Sequence, residues 1–126
     1  MRRISLFLLP FCAAGYLATP AQAFVGCSLY EHGWWSGSEF RVGRNYQFTY
    51  VGDNFNDRAS SVSVPNGCWL TFWQHSNFNG EYQILYGGDY PYVGDLWNDQ
   101  ISSVRCQCSA KAKIRTLDPT RAAPKK

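Results

Sequence analysis

The sequence predicts an all-β fold, a two-sheet sandwich of short strands around one core. Three observations predict it. A twelve-residue segment occurs twice, beginning at Val51 and again at Val93. Short β-branched and aromatic stretches surround it, separated by Gly, Asn, Asp and Ser clusters. No convincing helix of ten residues or more is found between residues 24 and 108.

The repeated segment is Val51-Gly52-Asp53-Asn54-Phe55-Asn56-Asp57-Arg58-Ala59-Ser60-Ser61-Val62. It returns as Val93-Gly94-Asp95-Leu96-Trp97-Asn98-Asp99-Gln100-Ile101-Ser102-Ser103-Val104, with nine of twelve positions in agreement when Phe55 and Trp97 count as equivalent. A second pair lies upstream. Tyr30, Trp35 and Gly37 follow an aromatic-x-x-x-x-aromatic-x-Gly pattern, and Trp73, Phe78 and Gly80 repeat it at nearly the same spacing. A fixed period marks repeated structural units. They divide the chain at about 24–66 and 67–108. Glu39 to Val42 and Ser61 to Val64 alternate cleanly, and Gly67 to Trp73 and Gly80 to Tyr86 are rich in aromatic and β-branched residues. All four read as strands.

The ends differ from this core. Arg2, Arg3, an apolar run from Ile4 to Ala14 and the small-x-small site Ala21-Gln22-Ala23 read as a secretory leader, 1–23, cleaved before Phe24. The run holds Pro10 and is too short for a membrane span. From Phe24 to Cys108 there are four basic and eight acidic side chains, a net −4. Residues 109–126 carry +5, two prolines and no periodicity, and read as a basic disordered tail. An acidic core excludes nucleic-acid binding as an inference from the overall charge of +3.

Four cysteines follow the leader: Cys27, Cys68, Cys106 and Cys108. An even count in an exported chain points to two structural disulfides. Cys106-Gln107-Cys108 lacks the second pair of a zinc site and is not the Cys-x-x-Cys of a redox enzyme.

Both motifs, twice and in the same order, resemble the βγ-crystallin family, in particular its microbial calcium-binding branch. The family hairpin matches at Tyr30, Trp35 and Gly37, and again at Trp73, Phe78 and Gly80. Its (Asn/Asp)-(Asn/Asp)-x-x-(Ser/Thr)-Ser calcium motif matches at Asn56 to Ser61 and at Asn98 to Ser103. The resemblance implies two Greek-key motifs in one domain, with the hairpin aromatics packed together beneath each fold. It implies two Ca2+ held between the paired loops. Carbonyls of Arg58 and Gln100 would face an ion, Asp57 and Asp99 would add carboxylates, and Asn56 and Asn98 would shape the loops. Ser60 and Ser102 would each serve the ion of the opposite loop. Ser61 and Ser103 would bond locally, and further carbonyls would come from near Ser38 and Glu81. The charge on Arg58 would weaken one site. For the disulfides, the pairing of first and last Greek-key strands implies Cys68 with Cys106 and leaves Cys27 for Cys108; exchanging Cys106 and Cys108 is a close alternative.

No catalytic constellation is present. The two histidines, His32 and His75, sit at equivalent hairpin positions and read as solvent-facing turn residues rather than a metal pair. No nucleophile elbow, zincin helix or phosphate loop occurs. The expected function is therefore a secreted, monomeric, non-enzymatic calcium-binding domain. One rival is a secreted metalloprotease inhibitor of the same fold, for which residues 41–45 or 87–93 are the available loops. Another is a glycan- or envelope-binding module using Trp34, Tyr90 or Tyr92.

Overall fold

In a computed structural model describing residues 24–117, the alternating stretches are strands. The expected leader and its cleavage point lie outside the described residues, as do residues 118–126. The strands are β1 (Gly26–His32), β2 (Ser36–Gly43), β3 (Tyr46–Phe48), β4 (Ser61–His75), β5 (Asn79–Tyr90), β6 (Ser103–Gln107) and β7 (Arg115–Leu117). Among the described residues the only helical piece is one 3-10 turn, Ser76–Phe78.

β4 and β5 each run through a corner that divides the sheet in two. The corner falls at Pro65-Asn66-Gly67, where the β4–β5 register breaks between Val64 and Trp69. Facing it is Gly87, where an added Cβ would lie 3.0 Å from the Pro65 carbonyl oxygen. Glycine suits so close an approach, since any side chain there would push the Pro65-Asn66 backbone outward.

Before the corner, β1 pairs with β2 on one side and with Ser61–Ser63 on the other, and Val62 pairs with Tyr90 at the end of β5. Beyond it, Leu70 pairs with Leu85 and Cys106, and Cys106 pairs with Tyr46 of β3. Thus β3, from the first unit, completes the second half-sheet. The end of β5, from the second unit, completes the first. This exchange is the Greek-key crossing, and it curls the sheet into a half-barrel.

The inward side chains alternate as the strand period requires. Leu29, Val42, Val62, Leu70, Phe72 and Val104 are fully buried between the halves. Phe40 meets Phe48 edge-on at 4.8 Å, and Phe72 meets Trp97 the same way at 4.8 Å. Each such side chain contributes about 1.5–3 kcal/mol by leaving water.

The hairpins fold back at Gly37 and Gly80, with φ of +83° and +84°. In both, a Cβ would lie 2.7 Å from the ring of His32 or His75. A side chain would therefore push the histidine ring aside and would force an unfavourable backbone conformation. The second serine of each motif clamps the fold. Ser61 Oγ donates to the His32 carbonyl at 2.6 Å and accepts from the Trp35 backbone N–H at 3.0 Å. Ser103 Oγ does the same with His75 at 2.7 Å and Phe78 at 3.1 Å. Both serines are wholly buried. Ser61→Ala and Ser103→Ala should each cost roughly 1–3 kcal/mol, because they orphan a backbone N–H. Equal losses in denaturant melts are expected. A loss under about 0.5 kcal/mol in both would refute the clamp.

The expected aromatic packing holds in unit two, where Trp73 and Phe78 lie 4.8 Å apart edge-on. In unit one Trp35 meets Trp34 at 5.9 Å, and its indole N–H donates to the Val62 carbonyl.

Two expectations are corrected. The disulfides join Cys27 to Cys106 and Cys68 to Cys108, which is the exchanged alternative and not the favoured Cys68–Cys106 and Cys27–Cys108. The first and last strands of unit two do pair, but Trp69 lies opposite Gln107, which sets Cys68 opposite Cys108 with Cα atoms 3.9 Å apart. Cys106, two residues back, points into the core and meets the fully buried Cys27 of the other half-sheet. The expected tail is not wholly irregular either. Arg115–Leu117 pair in parallel with β3, whose outer edge would otherwise be bare.

Candidate metal centre

Each repeated loop begins with a tight turn. The Gly52 carbonyl accepts from the N–H groups of Phe55 and Asn56, and the Gly94 carbonyl accepts from Trp97 and Asn98. Phe55 and Trp97 sink into the core, as do Ala59 and Ile101, each three residues after Asn56 or Asn98. The polar residues between these anchors are thereby held at the surface. Asp57 and Asp99 both adopt positive φ in the left-handed region. Aspartate tolerates that conformation better than most residues do.

The two loops lie back to back. The Asp57 N–H donates to the Ile101 carbonyl and the Asp99 N–H to the Ala59 carbonyl, both at 3.1 Å. Ser60 Oγ donates to Asn98 Oδ1 at 2.5 Å, and Ser102 Oγ reaches Asp57 Oδ1 at a longer 3.4 Å. Each motif serine therefore faces the Asn-Asp pair of the other motif.

This arrangement frames two clefts. The first is lined by Arg58 and Ser60 of one loop, Asn98 and Asp99 of the other, and hairpin residues including Glu31 and His32. The second is lined by Gln100 and Ser102, with Asn56 and Asp57 opposite and Gln74 and His75 from the second hairpin. Tyr92 edges the first and Tyr50 the second. Eight of the expected ligand residues thus gather at the clefts, while Ser38 and Glu81 lie on β2 and β5 outside both linings. Sequence reasoning misses Glu31, Gln74 and Tyr50, and gives Tyr92 to a glycan-binding surface rather than to a cleft. The repeat period is the signal that could have found the tyrosines, since Tyr50 and Tyr92 hold equivalent places in the two units, each three before an aspartate. Tyr50 bonds to Asp53 at 2.7 Å and Tyr92 to Asp95 at 2.6 Å, which raises both phenol pKa values.

The clefts differ in charge. Glu31 Oε2 meets Arg58 Nη1 at 3.4 Å beside the first, whereas the second has neutral Gln74 and Gln100 at the equivalent positions. The Ser38 backbone N–H, together with nearby His32 and Arg58, holds the Glu31 carboxyl below its usual range.

The donor set suits a hard cation. Its oxygen donors are the carboxylates of Asp57 and Asp99, the amides of Asn56 and Asn98 and the hydroxyls of Ser60 and Ser102, with the imidazoles of His32 and His75 at the cleft edges. Asn56 Oδ1 is buried yet has no hydrogen-bond partner. A cation in the second cleft would satisfy that unmet requirement. Among the described residues no group of three or more His, Cys, Asp or Glu has metal-binding spacing.

The same architecture appears in known proteins. Beta-crystallin B1 of Sus scrofa is 43% identical over 53 residues, 39% of this chain, and the match spans only 21% of that relative's length. A double threonine-to-serine mutant of a βγ-crystallin domain from Clostridium beijerinckii is 28% identical with a TM-score of 0.60, covering 67% of this chain and 98% of that one. A βγ-crystallin from an archaeon is 32% identical with a TM-score of 0.56, covering 66% and 98%. The family model described as Beta/Gamma crystallin matches residues 27–106, the whole doubled unit from the first disulfide cysteine to its partner, and the chain belongs to that family.

Proposed function

We propose that this chain is a non-enzymatic calcium-binding domain, holding two Ca2+ between its paired loops and using them to stabilise the fold. The observation that carries this reading is the reciprocal geometry of the loops, in which Ser60 faces Asn98 and Ser102 faces Asp57 across two oxygen-lined clefts. Asn56, Asp57, Asn98, Asp99, Ser60 and Ser102 supply side-chain oxygens, and Arg58 and Gln100 line the clefts where backbone carbonyls are needed. Export as a monomer under the 1–23 leader completes the reading. It accords with the two disulfides, which persist in oxidising compartments.

Calorimetric titration with calcium tests it. Two binding events per chain are expected. Ser102→Arg should damage both events, since it puts a cation in the second cleft and disturbs the Asp57 loop behind the first. One wholly normal site surviving in that variant would overturn the coupling, and no binding to the unmodified chain would overturn the function.

A further inference from the structure

β7 does more than cover an edge, because its direction aims the chain that follows it. It pairs in parallel with β3, from Arg115 opposite Tyr46 to Leu117 opposite Phe48. The pairing is held along its length. The Arg115 backbone N–H donates to the Asn45 carbonyl at 2.9 Å, Gln47 Nε2 donates to Thr116 Oγ1 at 2.8 Å, and Leu117 packs against the core. Both strands therefore run the same way, and β3 leads directly to the second cleft. The Thr49 carbonyl accepts from Asn77 N–H of the second hairpin, and Tyr50 lines the cleft itself. Residues 118–126 set out from Leu117, beside that place.

Charge and reach both match. Among the described residues lining the second cleft, Asp57 is acidic and none is lysine or arginine. Asp53 sets a second carboxylate at the rim, bonded to Tyr50 at 2.7 Å. Asn56, whose side-chain oxygen has no hydrogen-bond partner, lines the same cleft. The first cleft differs, because Arg58 of its own loop meets Glu31 there at 3.4 Å, and Gln100 holds the equivalent place in the second. Residues 118–126 read Asp-Pro-Thr-Arg-Ala-Ala-Pro-Lys-Lys, which sets Arg121, Lys125 and Lys126 against Asp118 alone. An extended chain advances about 3.3–3.6 Å per residue. Tyr50, two residues past Phe48, is then within about 7 Å of it, while Arg121, four past Leu117, has a span of about 14 Å. Lys125 and Lys126 have about twice that span and can cross the cleft.

We propose that residues 118–126 of this chain are a tethered cation for the second cleft, lying across it with Arg121 against Asp57 and the Tyr50 ring when no metal ion is there. A guanidinium suits the place, since its planar fork pairs with a carboxylate and its face stacks on an aromatic ring. The tether makes the encounter intramolecular, at an effective concentration in roughly the millimolar range. One consequence rests on the calcium reading: the ion and the segment compete for the second cleft and not for the first.

The test uses the chain from Phe24 to Lys126. In chelator at low salt, zero-length carbodiimide coupling should join Lys125 or Lys126 to Asp53 or Asp57, located by peptide mass mapping, and millimolar calcium should suppress it. The combined variant Arg121→Gln, Lys125→Gln, Lys126→Gln should tighten one of the two calcium events about threefold at low salt, the worth of an exposed ion pair, and leave the other unchanged. Coupling that is absent in chelator, or spread evenly over Glu39, Glu81 and Asp89 on the strands, would overturn the proposal. Two calcium events of the same affinities in variant and parent would overturn it as well. Coupling at Asp57 in a chain that takes up no calcium would instead support the docking and refute the calcium reading.

Discussion

Millimolar calcium should raise the melting temperature by on the order of 10 °C for each cleft it fills. The folded chain gathers Asp57, Asp99, Asn56 and Asn98 along two open clefts. It also buries Asn56 Oδ1 without a partner. Convergence of negative and dipolar oxygens disfavours the folded state until a cation neutralises it. Extracellular calcium modules bind at about 10⁻⁴–10⁻³ M and sensors more tightly, so an affinity near 10⁻⁵ M is expected here. At about 100 times the dissociation constant, a site absent from the unfolded chain contributes roughly 2.7 kcal/mol. In a domain of this size each kcal/mol moves the midpoint by about 4–8 °C. Magnesium should do far less, because it demands strict octahedral geometry and gives up its waters reluctantly. Melts in chelator, in calcium and in magnesium at matched ionic strength decide the matter. A calcium shift under about 2 °C, or an equal shift with magnesium, would mean that the loops are turns and nothing more.

Removing either disulfide should be comparably severe, and removing both should leave the chain unfolded at about 37 °C. Cys27–Cys106 closes a sequence separation of 79 and Cys68–Cys108 one of 40. Loop-closure entropy alone gives about 4.5 and about 3.9 kcal/mol for loops of these sizes. That corresponds to a fall on the order of 15–30 °C in each melting temperature. The losses should differ in character. Cys27 and Cys106 are fully buried in the core between the half-sheets. Cys27→Ala with Cys106→Ala therefore also leaves a void there. Cys108 is only partly buried, and Cys68→Ala with Cys108→Ala mainly frees the start of β4 from the end of β6. A melting temperature within about 5 °C of the parent in the first double variant would contradict this account.

The doubled unit, the hairpin glycines and the paired loops are legible in the sequence, because each rests on residues with narrow conformational or chemical requirements. Gly37 and Gly80 take positive φ, which glycine alone adopts freely. Asn-Asp with Ser-Ser recurs because two loops must match. The disulfide pairing is harder. It depends on whether residue 68 faces 106 or 108, a question of register that no local pattern decides. Nothing in the sequence announces the strand at Arg115–Leu117, because it is short and contributes one edge of backbone pairing rather than a buried face. The stripe Tyr82-Ile84-Tyr86 carries a misleading signal. Its alternation reads as a core-facing strand, yet Leu85, one step out of phase, is the side chain that packs against the core. The chain there offers two apolar faces, and only the three-dimensional pairing shows which is turned outward.

The exchange of β3 and the end of β5 between half-sheets has a consequence for assembly. Each unit is an incomplete sheet whose missing strand is carried by the other, in the reciprocal manner of a two-fold dimer with swapped elements. The protein is in effect such a dimer written on one chain. Its partners are held at the high effective concentration that a short covalent link provides, and Cys27–Cys106 ties the first strand of one unit to the last strand of the other a second time. Dilution therefore cannot separate them, and there is no hinge at the junction of the units about which they swing, since that junction lies inside β4.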